Sequence, residues 1–362
     1  MSKAIIVALD GMGGDNAPEM VVAGADLARE RYPDTRYVIF GDQAKLKPLI
    51  DRHKGLAGSI EVRHTEERVL NEDKPSVALR KRRNSSMWRA IDMVAKGEAH
   101  CVVSAGNTGA LMAIAKFVLR TLPGIDRPAI ASILPTIRGE TAMLDLGANI
   151  EVDANNLVEF AVMGDVFART VLALHNPKVG LLNVGAEHLK GHDALRDAAV
   201  LLRHDNLPVN FHGFVEGDDI GAGTVDVVVT DGFTGNIALK TIEGTAKLYT
   251  GFVRDAFRTS SFAKMGYLLA SGAWKKLGKR VDPRRYNGGV FLGLNGVCVK
   301  SHGGTDGLGF AYAVGTAADM VRFGFNEKVV DEYQKLRAAL GADAMRLDKT
   351  KPEKTKTESA AQ

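Results

Sequence analysis

The run CVVSAGNTGALMAIAK, Cys101–Lys116, holds the pattern from which the rest of the chain is read. Cys101–Val103 is a short apolar run, Ser104-Ala105-Gly106-Asn107-Thr108-Gly109 is polar and glycine-broken, and Ala110–Ala115 is rich in helix formers. Such a succession predicts strand, tight loop, helix. A loop of this kind aims unpaired backbone N–H groups and the positive end of a helix dipole at one point, which suits an anion. Asn107 or Thr108 supplies the helix cap, and Gly106 and Gly109 let backbone approach a ligand closely. A well-capped turn with no ligand is the competing reading. The chain then repeats the pattern: VVTDGFTG at 228–235 matches VVSAGNTG at 102–109 as V-V-[S/T]-x-G-x-T-G. Both copies lie between a strand and a helix, and two such loops are expected to face one another across a cleft at the carboxyl ends of a parallel sheet.

Working outward, apolar runs at 4–9, 36–40, 59–64, 129–134, 141–146, 179–182, 209–211 and 225–229 read as strands, alternating with helices at about 19–31, 88–96, 155–174 and 194–203. That alternation predicts an α/β fold. Polar loops close the strands at Asp10–Asn16, Asp145–Asn149, Asn183–Gly191, Thr230–Asn236 and Ser301–Asp306. They are rich in Gly, Asn, Thr and Asp, with Lys190, Lys240 and His302 as nearby cations. The first of them, DGMGGDNAP, is not a dinucleotide fingerprint, because Asn16 stands where the third glycine belongs. Residues 288–300 read as a glycine-broken strand pair.

The 362 residues are 45% hydrophobic and 25% charged, the balance of a globular protein. A net charge of +4 is too weak to argue for nucleic acid. Cys101 and Cys298 sit among apolar residues and read as reduced core thiols. The sequence predicts no signal peptide and no membrane span, hence a cytoplasmic protein. A phosphate-binding G-x-x-x-x-G-K-[S/T], a G-x-S-x-G elbow and an H-E-x-x-H pair are all missing. The available chemistry suits holding an oxyanion and a carbonyl, without a covalent nucleophile. Arg80-Lys81-Arg82-Arg83 is a dense basic cluster, either a solvated face or a docking patch for an acidic partner. Residues 245–286 interleave Phe252, Phe257, Phe262, Leu268, Leu269 and Trp274 with Arg254, Arg258, Lys264, Lys275, Lys276 and Lys279. This is the pattern of a basic amphipathic helix that lies on an anionic membrane or packs in an oligomer. Residues 1–345 are expected to form one α/β unit, and 346–362 a charged, disordered tail.

Taken together and in order, DGMGGDNAPE, SAGNTGALMA, DLGANIEVD, GLLNVGAEHLKG, DVVVTDGFTGNIALK and LGLNGVCVKSHGGTD resemble the PlsX-type phosphate acyltransferase family over roughly 5–323. The resemblance implies a three-layer α/β/α Rossmann-like sandwich similar to isocitrate and isopropylmalate dehydrogenases, with no metal or nucleotide cofactor. It implies acyl transfer from acyl carrier protein to inorganic phosphate. The acyl phosphate product would feed a membrane glycerol-3-phosphate acyltransferase in phospholipid synthesis. It further implies a homodimer peripherally attached to an anionic membrane surface. An acyl-CoA-dependent, phosphotransacetylase-like reaction is the alternative. Phosphate is already an anionic nucleophile at neutral pH, so the protein must position it, stabilise the tetrahedral oxyanion and let thiolate leave. On this reading Ser104, Gly106, Asn107, Thr108 and Gly109 in one loop, and Asp231, Gly232, Thr234, Gly235 and Asn236 in its twin, contact phosphate or thioester. Lys190 is the expected charge stabiliser and His302 the expected proton donor to sulfur. Asp10, Asp15, Asn16, Asn149, Asn183, Glu187 and Lys240 complete the expected substrate-binding set, with Asp10, Asp15 and Asn16 at the cleft floor or on the pantetheine arm.

Overall fold

The structure is a computed structural model that describes residues 4–204 and 207–344; the expected tail at 346–362 lies outside the described residues. Among the described residues eleven strands form one sheet: β1 (Ile5–Asp10), β2 (Thr35–Gly41), β3 (Ile60–His64), β4 (Cys101–Ser104), β5 (Ala129–Pro135), β6 (Glu140–Leu144), β7 (Lys178–Leu182), β8 (Asn210–Val215), β9 (Val227–Val229), β10 (Gly289–Leu292) and β11 (Val297–Lys300). Their spatial order is β3-β2-β1-β4-β11-β10-β5-β6-β9-β7-β8.

Period-2 alternation explains why both faces are covered. Val7, Leu9, Cys101, Val103, Val297 and Val299 pack on one side with residues of helices Glu19–Arg31, Ala154–Val171 and Gly307–Arg322. Ala8, Val102 and Cys298 face the other side, with residues of helices Ser86–Ala95 and Thr108–Leu119. Each fully buried Val or Leu in these layers stabilises the fold by about 1.5–3 kcal/mol. Helix–sheet–helix layering is the α/β/α sandwich expected from the family resemblance.

The sheet is not uniformly parallel, which corrects the expectation from the strand–helix alternation. β1, β2, β3, β4 and β11 run together, and β6, β7, β8 and β9 run together. Between these blocks β10 is antiparallel to β11 and β5, and β5 is antiparallel to β6. The blocks therefore run in opposite senses. Four strands separate β4 from β9.

Helix Gly232–Arg258, followed by Ser261–Leu269 and Ser271–Arg280, leaves the sandwich. The first has 27 residues, about 40 Å of helix. Only Gly232 and Gly235 of it are buried, and no residue of the other two is. Phe257, Tyr267 and Trp274 pack ring to ring, with centroids 5.2–5.5 Å apart, and close this helical arm on itself. This is the amphipathic segment expected at 245–286.

Candidate active site

The strand-end loops gather into two clusters with related construction. In the first, β1, β4 and β11 end side by side. Leu9 pairs with Val103, so Asp10 and Ser104 stand at neighbouring strand ends, and Lys300 pairs directly with Ser104. Asp10, Ser104 and Lys300 share the parity of Ala8, Val102 and Cys298, so all three face the layer of Ser86–Ala95 and Thr108–Leu119.

Asp10 is fully buried and accepts from the Ser86 and Ser104 hydroxyls, each at 2.6 Å, and from the Met12 N–H at 3.4 Å. Burial pushes its carboxyl pKa up; the two serines, the Met12 N–H and the Lys300 ammonium pull it back. Gly13 and Gly106 are glycines for a steric reason: a Cβ at Gly13 would run into Asp10 Oδ2, and one at Gly106 would lie 2.6 Å from Met87 Cε. Asp15 accepts from Asn71 Nδ2 at 3.0 Å, and its own N–H reaches the Gly303 carbonyl at 2.9 Å. Asn16 donates to the Thr305 carbonyl at 2.9 Å. Asn287 braces the last loop, accepting from the His302 N–H at 2.7 Å and donating to Ser301 Oγ at 2.9 Å. The His302 ring is exposed; its Nδ1 accepts from the Gly304 N–H at 3.2 Å, which leaves the proton on Nε2. Lys300 is half-buried, and its Nζ donates to the carbonyls of Ala105 and Ser301. Burial lowers its pKa to about 8, against the pull of Asp15 and Asp10.

The second cluster lies at the carboxyl ends of β6, β7 and β9, against the start of β5. Leu144 pairs with Val229, so Asp145 and Thr230 meet as Asp10 and Ser104 do. The Asp145 carboxylate accepts from the N–H groups of Ile130, Gly147, Ala148 and Asn149 and from Asn149 Nδ2, at 2.7–3.2 Å. Burial raises its pKa while these donors lower it. The next helix begins at Gly232, with Asp231 as cap, accepting from the Thr234 N–H at 2.8 Å and hydroxyl at 2.7 Å. Gly232 donates to the Asn149 carbonyl at 2.7 Å, and a Cβ at Gly235 would overlap the Asp145 carbonyl. Ile130 packs against the apolar residues beneath both clusters, which places them on one face of the sheet.

Several expected ligands prove to be committed to the protein. Asn107 caps its own helix through Oδ1 and donates through Nδ2 to the carbonyls of Asn71 at 2.7 Å and Asp73 at 3.2 Å. Asn149 spends its amide on Pro128 and Asp145, and Asn183 holds the Lys190 carbonyl and the Val184 N–H. Lys240 pairs with Glu243 at 2.8 Å. Ser104 belongs to the Asp10 network. Thr108 and Gly109 are exposed at the first helix start, and Asn236 is exposed beside Gly147. Glu187 is exposed, with its carboxyl against Gly185. Lys190 is exposed, and among the described residues no side chain pairs with its ammonium. Of the basic cluster, Arg82 is tied to Asp73 at 3.0 Å and Glu67 at 3.8 Å; Arg80, Lys81 and Arg83 are exposed.

Sequence reasoning did not single out Lys300, Ser86, Asn71 or Thr230. For Lys300 one signal exists: in Val297-Cys298-Val299-Lys300 it ends the strand on the face of Cys298. Both cysteines are fully buried, and burial pushes both thiols well above their usual range, so neither is a nucleophile. Among the described residues no group of three or more His, Cys, Asp or Glu is placed to hold a metal ion, and no helix is long and apolar enough to cross a membrane.

The model of a family described as "Fatty acid synthesis protein" matches residues 5–328. A phosphate acyltransferase of Rhodospirillum centenum is 65% identical over 350 residues, covering 97% of this chain and 99% of that one. Among solved structures, a phosphotransacetylase from Streptococcus pyogenes superposes with a TM-score of 0.58 at 17% identity, covering 89% of this chain and 95% of that one. A putative 4-hydroxythreonine-4-phosphate dehydrogenase from Salmonella typhimurium does so at 0.51 and 14%, covering 88% and 100%. These two likenesses show the shared fold.

Proposed function

The chain belongs to the fatty acid synthesis protein family, and from that premise we propose that it is an acyltransferase that moves a fatty acyl group from acyl carrier protein to inorganic phosphate. The observation that carries this reading is the pair of strand-end clusters on one face of the sheet, built from polar glycine-rich loops, beside two buried and protonated cysteines. Such a site positions reactants and supplies charge; phosphate brings the nucleophile.

Phosphate lies within bonding reach of the thioester carbon, with the exposed Lys190 and Asn236 of the second cluster's loops turned to it. The thioester sulfur lies toward the first, beside Asp10, Ser104 and His302. Asn107, Asn149, Asn183 and Asp231 shape these loops from within. The acyl phosphate formed feeds a membrane glycerol-3-phosphate acyltransferase. The helical arm at 232–280, with exposed Phe262, Leu268 and Leu269 among Lys264, Lys275, Lys276 and Lys279, lies on anionic lipid and adjoins a second copy of the chain.

The test is direct. Purified protein is given phosphate and either acyl carrier protein or coenzyme A thioesters, and acyl phosphate is trapped with hydroxylamine. Product from the carrier-protein thioester at the higher kcat/KM is expected. Turnover of the coenzyme A thioester alone would replace the carrier protein as donor, and no product from either would overturn the reading.

A further inference from the structure

The acyl-transfer reading leaves one group of the first cluster without a role. We propose that Lys300 is a catalytic residue, the proton donor to the departing sulfur of the thioester. The argument begins in the sheet. Lys300 ends β11 in register with Ser104 of β4, which stands beside Asp10 of β1. The three side chains share one face at the carboxyl ends of three adjacent parallel strands, where α/β sheets place their ligands. An ammonium has three N–H donors; the carbonyls of Ala105 and Ser301 take two, and one remains for a substrate atom. Those carbonyls open the two loops of the site, so the amine is fixed where the loops diverge. Burial works against its positive charge, while Asp15 and Asp10 favour it. The result is an amine poised near pH 8, close to an alkyl thiol of about 8.5, the match that proton transfer favours.

The step balances. A phosphate oxygen bonds to the carbonyl carbon and forms a tetrahedral oxyanion. Its collapse restores the C=O bond and breaks the C–S bond, with the electron pair leaving on sulfur. Lys300 gives its free proton to that sulfur and becomes a neutral amine, which solvent reprotonates. His302 lies two residues further on, but its ring is exposed and Asp10 does not enter its hydrogen bonding.

The experiment rests on the acyl-transfer reading and separates the two. Turnover of an alkyl thioester is compared with that of an aryl thioester, whose acidic thiol leaves without a proton, across pH 6–10 for wild type, Lys300→Met, Lys300→Arg and His302→Gln. Wild type is expected to lose activity above pH 8 with the alkyl donor. Both Lys300 variants should fall by roughly 100-fold with the alkyl donor, by under about 10-fold with the aryl donor, and lose the alkaline limb. Lys300→Arg keeps the charge and the carbonyl contacts but cannot release a proton in this range, so it guards against misfolding. Equal losses with both donors, full activity in Lys300→Arg, or loss of the alkaline limb in His302→Gln would each overturn the proposal while wild-type turnover upholds acyl transfer. A wild type that makes no acyl phosphate overturns both.

Discussion

Asn107 spends both ends of its amide on the protein, one on the helix cap and one on the loop at 71–73. Its twin position is Phe233, 57% exposed, so the cap there falls to Asp231. Residue type and spacing located both loops, yet they could not tell a ligand-facing amide from one turned inward. That distinction depends on partners far away in sequence, such as Asn71 on Asp15 or Ser86 on Asp10. Lys300 was hidden for the same reason: at the end of an apolar run it reads as a strand terminus until β4 and β1 are set beside it. Lys190 is expected on sequence grounds alone, as a cation in a glycine-rich strand-end loop. If it stabilises the oxyanion, Lys190→Ala should cost roughly 100-fold in kcat. Its ammonium has no side-chain partner among the described residues, so the thermal midpoint should hold. Undiminished kcat in the folded variant would remove Lys190 from the chemistry.

Among the elements, the strands and the strand pair β10–β11 lie close to where period-2 patterning puts them. Helices Gln43–Arg52 and Pro75–Lys81 were not anticipated; both are short, and Pro48 inside the first breaks the helical pattern. The helical arm was anticipated from charge and apolar spacing alone, and the structure adds which residues hold it together. Trp274 stacks on Tyr267 and meets Phe257 edge to face, so charge there would break the arm itself. Phe262 and Leu269 are 82% and 83% exposed, and Phe262 belongs to none of these ring pairs. The double substitution Phe262→Glu, Leu269→Glu should therefore leave the fold intact and abolish flotation with phosphatidylglycerol vesicles. Wild-type flotation by the double variant would detach this arm from the membrane.

At the scale of the molecule, the reversal of strand direction between the two sheet blocks could not be read from the sequence. Each block alone looks like an ordinary run of alternating strands and helices, and the antiparallel β10 and β5 carry the same apolar pattern as a parallel strand. The core that binds the blocks contains one group whose titration reports on the whole fold. Glu159, in helix Ala154–Val171, accepts from the Asp126 N–H at 3.1 Å and from the Tyr333 hydroxyl at 3.4 Å. It thereby joins the sandwich to helix Phe325–Ala344. Burial pushes its pKa to about 8, outweighing both hydrogen bonds. The unfolded chain releases this proton at about 4.3. Between those values the folded state binds the extra proton, so stability present below pH 4.3 declines as pH rises and levels off above pH 8. The loss is on the order of a few kcal/mol. Glu159→Gln keeps the shape and an acceptor while removing the titration. Its urea midpoint should fall less than that of wild type between pH 5 and pH 8, and at pH 8 the variant should be the more stable of the two. Parallel midpoint curves for the two proteins would show that Glu159 is ionised in the folded core at neutral pH.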